Sequence, residues 1–180
     1  MNKDSISHEY GVSGVQDDIF IPALIISGGQ TGADIGGLRG ARACGIATGG
    51  VAPKGWRTEY GRNPELADFG LIEHESDNYP PRTRANIEMS EATLLIAHNF
   101  DSRGSRTTEE LTRELGKPLC KLHYGFWRKV DSEEQFHDAR LWLAQIKPVV
   151  LNVAGNRESV ARGIEGWTIE AMKRLFLLSK

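Results

Sequence analysis

The chain is poor in several features that would each announce a class of protein. It carries two cysteines in 180 residues, Cys44 and Cys120, far apart in sequence. That count builds no disulfide framework and no CxxC redox or zinc pair, so both are expected to be packed thiols. No apolar run approaches the roughly 18 residues of a membrane span, and residues 1–18 lack the apolar centre of a signal peptide. A cytoplasmic protein is the expectation. The formal net charge is −2, which supplies no field for nucleic acid. No His-x-x-x-His, Glu-x-x-His or cysteine cluster offers a metal cage. No Gly-rich loop is followed by the Lys-Ser/Thr pair of a P-loop, and none has the third-glycine spacing of a dinucleotide fold.

What remains is an ordinary globular composition, 39% hydrophobic and 26% charged, with short apolar runs alternating with helical patterns and no internal repeat. The runs at residues 24–27, 46–48, 71–73, 93–97, 119–123 and 149–153 read as strands. Helical segments are expected over 34–44, 81–90, 107–115 and 132–146, with a last helix ending near residue 178. The glycines Gly36, Gly37 and Gly40 weaken the first helix and mark close packing against the sheet or a partner. Residues 1–20 are polar and aperiodic and read as a flexible arm before one domain at 21–180. Residues 49–70 read as a loop long enough to fold over a site. The alternation predicts an α/β, Rossmann-like three-layer sandwich with a mostly parallel central sheet.

In such sheets ligands bind beyond the carboxyl ends of the strands. Three strand ends carry anion-binding chemistry. The first offers Gly28, Gly29, Gln30, Thr31, Gly32 and Asp34; the second offers Gly104, Ser105, Arg106, Thr107 and Thr108; the third offers Gly155 and Arg157. Glycines bring backbone N–H groups close to a ligand, and a helix N-terminus adds partial positive charge. Lys54, from the long loop, together with Arg57, Arg103, Arg106 and Arg157, would add charge-assisted bonds to a phosphorylated small molecule. Asp34 is either a ligand contact or a helix cap. Trp56, Tyr60 and Trp127 are available for stacking or for packing on the core, and His98 and His123 follow strands.

Taken in order, these segments resemble a known family. Gly28-Gly29-Gln30-Thr31-Gly32-Ala33-Asp34, Gly49-Gly50, Pro53-Lys54-Gly55, Arg82-Thr83 with Asn86, the turn at 102–105, Gly116-Lys117-Pro118, and Leu151-Asn152-Val153-Ala154-Gly155 with Arg157-Glu158-Ser159 are similar to the molybdenum cofactor carrier proteins. These sit in a wider superfamily of Rossmann-like nucleotide-binding domains that includes lysine-decarboxylase-like phosphoribohydrolases. The chain departs from the family pattern at Ile35, at Arg103-Gly104-Ser105 and at Asn156, which stands where a proline is frequent. The resemblance implies a carrier that binds and shields molybdenum cofactor (molybdopterin), a pterin bearing a phosphate and a dithiolene-held metal, with no catalytic residue and no metal ligand of its own. The enzymatic alternative is a nucleotide phosphoribohydrolase, for which Glu110 is the candidate carboxylate. A third reading is a sensing module for a nucleotide derivative. A homo-oligomer, dimer or tetramer, is expected, with the glycine-rich helix and the apolar last helix (Trp167, Met172, Leu175, Phe176, Leu178) as candidate surfaces.

Overall fold

The structure is a computed structural model, and it describes residues 19–125 and 132–177. Trp127 and Leu178 lie outside the described residues, as does the expected arm up to residue 18. Phe20, the arm's last residue in the sequence reading, packs partly buried against the main core.

Six strands form one parallel sheet: β1 (Leu24–Ile26), β2 (Ala47–Ala52), β5 (Leu71–Glu73), β6 (Ala92–Ala97), β7 (Leu119–His123) and β8 (Val150–Gly155), in the spatial order β5-β2-β1-β8-β6-β7. A separate two-stranded antiparallel hairpin, β3 (Arg57–Thr58) and β4 (Gly61–Arg62), stands in the long loop after β2. Among the described residues the α-helices are α1 (Ala33–Ala43), α2 (Tyr79–Met89), α3 (Arg103–Glu114), α4 (Ser132–Ile146) and α5 (Ile164–Phe176). Helices α1, α4 and α5 pack together on one face, and α2 and α3 pack on the other. Crossovers that step toward β5 use the first face and those that step toward β7 use the second, as right-handed connections require. The expected α/β sandwich is therefore observed, with every pairing in its main sheet parallel.

Strand β6 is buried along its whole length, consistent with its unbroken Ala-Thr-Leu-Leu-Ile-Ala run. It shares the main core with Ile25, Leu151, Val153, Phe136, Leu143, Met172, Leu175 and Phe176. A smaller cluster of Ile35, Leu38, Ala52, Leu66 and Leu71 lies beside it. The glycines of α1 are explained within the chain. A Cβ on Gly36 or Gly40 would fall 2.7 Å from the Glu165 carbonyl oxygen and 2.6 Å from Met172 Cβ, so their bareness lets α1 lie directly on α5. Both surfaces that the sequence offers for self-association thus meet each other inside one chain: Met172, Leu175 and Phe176 are core residues, and Trp167 is partly buried against them.

Two boundaries differ from the sequence reading by four residues. Strand β2 runs on through Gly49 and Gly50 to Ala52, because Gly50 at φ +125 sits 2.2 Å, by its would-be Cβ, from the Ser27 carbonyl oxygen; there glycine marks backbone approach and not a turn. Helix α3 begins at Arg103, four residues early, because the Ser102 hydroxyl caps it by accepting the Ser105 N–H.

Candidate functional site at the carboxyl edge of the sheet

Because β1, β8 and β6 are adjacent and parallel, the three corners that follow them stand side by side. Asn156 ties them together and is only 3% exposed. Its N–H donates to the Ile96 carbonyl at 3.1 Å, and its own carbonyl accepts the Ala33 N–H at 3.0 Å. The side-chain oxygen accepts the N–H groups of His98 and Asn99, each at 3.0 Å. The side-chain nitrogen donates to the Asn99 carbonyl and to the hydroxyls of Ser102 and Ser105, at 3.0–3.1 Å. A proline here would have no N–H for Ile96 and no amide for the β6 corner. Gly32, at φ +77, completes the junction: a Cβ would lie 2.5 Å from the Asn156 carbonyl oxygen.

Between these corners and the start of α2 opens a cleft of about 240 Å³. Its floor is built from buried polar groups. Asp34 and Arg82 form an ion pair at 3.0 Å, with side chains 5% and 10% exposed. Gly28 makes this possible, since a Cβ there would lie 1.3 Å from Arg82 Nη1. Burial raises the Asp34 carboxyl above its ordinary range, and Arg82 with the N–H groups of Gln30 and Gly155 pull it back only in part. Gln30 is oriented by its neighbours: its side-chain oxygen accepts the N–H of Thr31 and of Glu59, both at 2.9 Å, which turns Nε2 the other way. Gln30 Nε2 and Arg82 Nε are buried without a partner, and both residues line the cleft. The opposite wall is the first turn of α3, where Arg103 and Gly104 carry N–H groups with no carbonyl four residues back. Added to Gly104, a Cβ would meet open space.

Of the residues singled out in the sequence, Gln30, Asp34, Gly104, Thr108, Gly155 and Arg157 line this cleft, and Thr107 lines an adjoining chamber. Gly28 lies behind Arg82, and Gly29 faces Leu66 and Leu71. Ser105 is buried within the corner and receives Asn156. Thr31 donates its hydroxyl to Glu59 and accepts the Glu158 N–H, and it borders a different hollow with Tyr60 and Arg62. Lys54 is exposed in a 3-10 turn, its N–H on the Ser76 carbonyl. Arg106 pairs with Asp101 at 3.2 Å and borders a separate hollow on the outer side of α3, together with Glu110. His98 Nδ1 lies 2.9 Å from the Tyr124 carbonyl, with the His123 ring 5.8 Å away.

The long loop does lie on the first corner, through Glu59. That carboxylate accepts from the Thr31 and Ser159 hydroxyls and from the Ser159 N–H at 3.1 Å, with Arg157 Nε at 3.8 Å. Burial pushes its pKa up, but these hydrogen bonds and Arg157 outweigh it, so the group sits below its ordinary value. The third corner's anion-binding donors are thus largely used inside the chain. Sequence reasoning missed Glu59, and it quoted Arg82 only as part of the resemblance and gave it no part in binding. An arginine inside a helix that begins Tyr-Pro-Pro-Arg-Thr-Arg carries no sequence signal of burial. Among the described residues no three His, Cys, Asp or Glu side chains group as metal ligands, and no helix is long and apolar enough to cross a membrane.

Known proteins agree with this architecture. No curated protein matches the chain. A crystal structure named "Putative molybdenum carrier protein", from Syntrophus aciditrophicus SB, is 33% identical, with a TM-score of 0.78 over 87% of this chain and 96% of that one. The model of the circularly permutated YpsA SLOG family matches residues 25–176. The sheet fits that description: its last strand, β8, lies between β1 and β6. Placed before β1, the β8–α5 unit would give a chain that winds outward from the centre, first to one side and then to the other, as doubly wound sheets do. The chain belongs to the circularly permutated YpsA SLOG family.

Proposed function

We propose that the cleft binds the phosphate of a small phosphorylated molecule and that the protein carries molybdenum cofactor as its cargo. The observation that carries the first part is the pair of buried, unpartnered donors, Gln30 Nε2 and Arg82 Nε, on two residues that line one cleft. A buried donor left unsatisfied costs about 1–3 kcal/mol. A phosphate oxygen would satisfy each, with the α3 N-terminus, Arg103 and Arg157 adding positive charge. The cofactor brings its own dithiolene sulfurs to the metal, so the donor set has only the phosphate and the ring system to hold. The molybdenum carrier description of the 33% identical structure supports that cargo.

Carriage is favoured over hydrolysis by the position of Glu110. A general base must stand within hydrogen-bond reach of the reacting water, and Glu110 is exposed and borders the outer hollow with Arg106 and Lys121, apart from the cleft's lining. A calorimetric titration of the full chain with molybdenum cofactor and with common nucleotides tests the proposal. Saturable binding of the cofactor without release of ribose 5-phosphate from the nucleotides is the expected result. Absence of binding by every phosphorylated compound, or turnover abolished by Glu110→Gln, would overturn it.

A further inference from the structure

The cleft has a second chamber. About 330 Å³ in volume, it shares Tyr79, Arg103, Gly104 and Arg157 with the first and adds Asn78, Pro80 and Thr107. The two chambers differ in chemistry. The unpartnered buried donors belong to residues lining the inner one alone. The outer one is walled by an aromatic ring, a proline and arginine side chains, with Asn78 and Thr107 beside them. Tyr79 is the first residue of α2, half-buried, and its ring centre has the guanidinium carbons of Arg57, Arg82 and Arg157 at 5.7, 5.8 and 5.6 Å. Arg57 and Arg157 also have acidic partners, Asp77 and Glu59, at 3.7 and 3.8 Å. Planar guanidinium groups around a tyrosine form walls that a flat aromatic ring can stack against.

We infer that the outer chamber is a subsite for a planar ring with Tyr79 as its platform, so that the ligand is a phosphate ester of a planar heterocycle held phosphate inward and ring outward. The inference rests on the phosphate reading above and adds the orientation and the residue that sets specificity. The reverse orientation would put a flat ring against Gln30 Nε2 and Arg82 Nε with at most one edge acceptor between them, leaving a donor buried and unpaired.

The test is a calorimetric titration of the full chain with ribose 5-phosphate and with guanosine 5′-monophosphate, which share the phosphate and the sugar and differ by the ring. Stacking on one aromatic side chain should make the nucleotide bind about tenfold more tightly. Tyr79→Leu should weaken the nucleotide about tenfold more than ribose 5-phosphate and so erase that advantage, residual ribose 5-phosphate binding showing that the variant folds, and Tyr79→Phe should keep it. Equal affinity of the wild type for both compounds, or equal weakening of both by Tyr79→Leu, overturns the ring subsite and spares the phosphate site. Binding of neither compound overturns the phosphate reading and the ring subsite with it.

Discussion

Replacing Asn156 with alanine should loosen the whole carboxyl edge of the sheet, and the size of the effect follows from its bonds. Alanine keeps both backbone bonds and deletes the side-chain set. The oxygen serves two amides at 3.0 Å, and the two hydrogens of the nitrogen are shared among Asn99, Ser102 and Ser105. That is four full hydrogen bonds, each contributing about 1 kcal/mol, so the upper figure is roughly 4 kcal/mol. Water from the adjoining cleft can re-satisfy some of the freed groups, which places the expected loss at about 2–4 kcal/mol. For a chain of this size that lowers the melting temperature by about 5–15 °C. Denaturant unfolding gives the energy, and amide hydrogen exchange at His98 and Asn99 reports whether these groups have lost their acceptor. Asn156→Asp should lose less, since it keeps the acceptor for both amides and the two serine hydroxyls can turn to donate to it, leaving only the Asn99 carbonyl opposed. A loss for Asn156→Ala below about 1 kcal/mol, with unchanged exchange at those two amides, would refute the view that one side chain fastens the three corners.

Two further predictions concern the cleft floor. Burial raises Asp34, so its ionisation removes stability as pH climbs from the ordinary carboxylate value through the raised one, and Arg82 limits that loss. In Arg82→Leu the carboxyl rises further, so the stability gap between wild type and variant should widen as pH climbs above the wild type's raised value, and should lose its pH dependence in an Asp34→Asn background; a gap constant with pH would contradict this. Gly28→Ala should evict the Arg82 guanidinium and destabilise by about 3–5 kcal/mol, as breaking a buried ion pair does, whereas Gly104→Ala, with open space around its Cβ, should stay within about 0.5 kcal/mol of wild type. Similar urea midpoints for the two glycine variants would sink the claim that Gly28 exists to seat Arg82.

How much of this was legible in the sequence depended on whether the signal was local. The apolar runs of β1 and β6 are buried by their own composition, and their positions follow from hydrophobic pattern alone. Gly49 and Gly50 read as loop and are strand, and at Gly50 the reason for glycine is the neighbouring backbone of Ser27, which follows another strand. Gly28, Gly29 and Gly32 read as one ligand-facing loop, yet each is bare for a different partner: Arg82, Leu66 with Leu71, and the Asn156 carbonyl. The basic residues were the least legible. Lys54, Arg106 and Arg82 are equivalent on the page of a sequence, and only tertiary placement makes Arg82 the buried one, Arg106 the partner of Asp101, and Lys54 an exposed turn residue. The same holds for the third corner, whose donors were legible as an anion site while the anion, Glu59, sits about 100 residues earlier.

The most direct test of the binding site is an equilibrium titration with molybdenum cofactor of the wild type and of Gly104→Trp. Gly104 stands on the wall of the cleft with nothing near its Cβ, so the indole fills the cleft without straining the fold. A wild type that saturates, and a Gly104→Trp variant with an unchanged unfolding midpoint that no longer binds, is the predicted outcome. Undiminished binding by Gly104→Trp, or no saturable binding by the wild type, would contradict it.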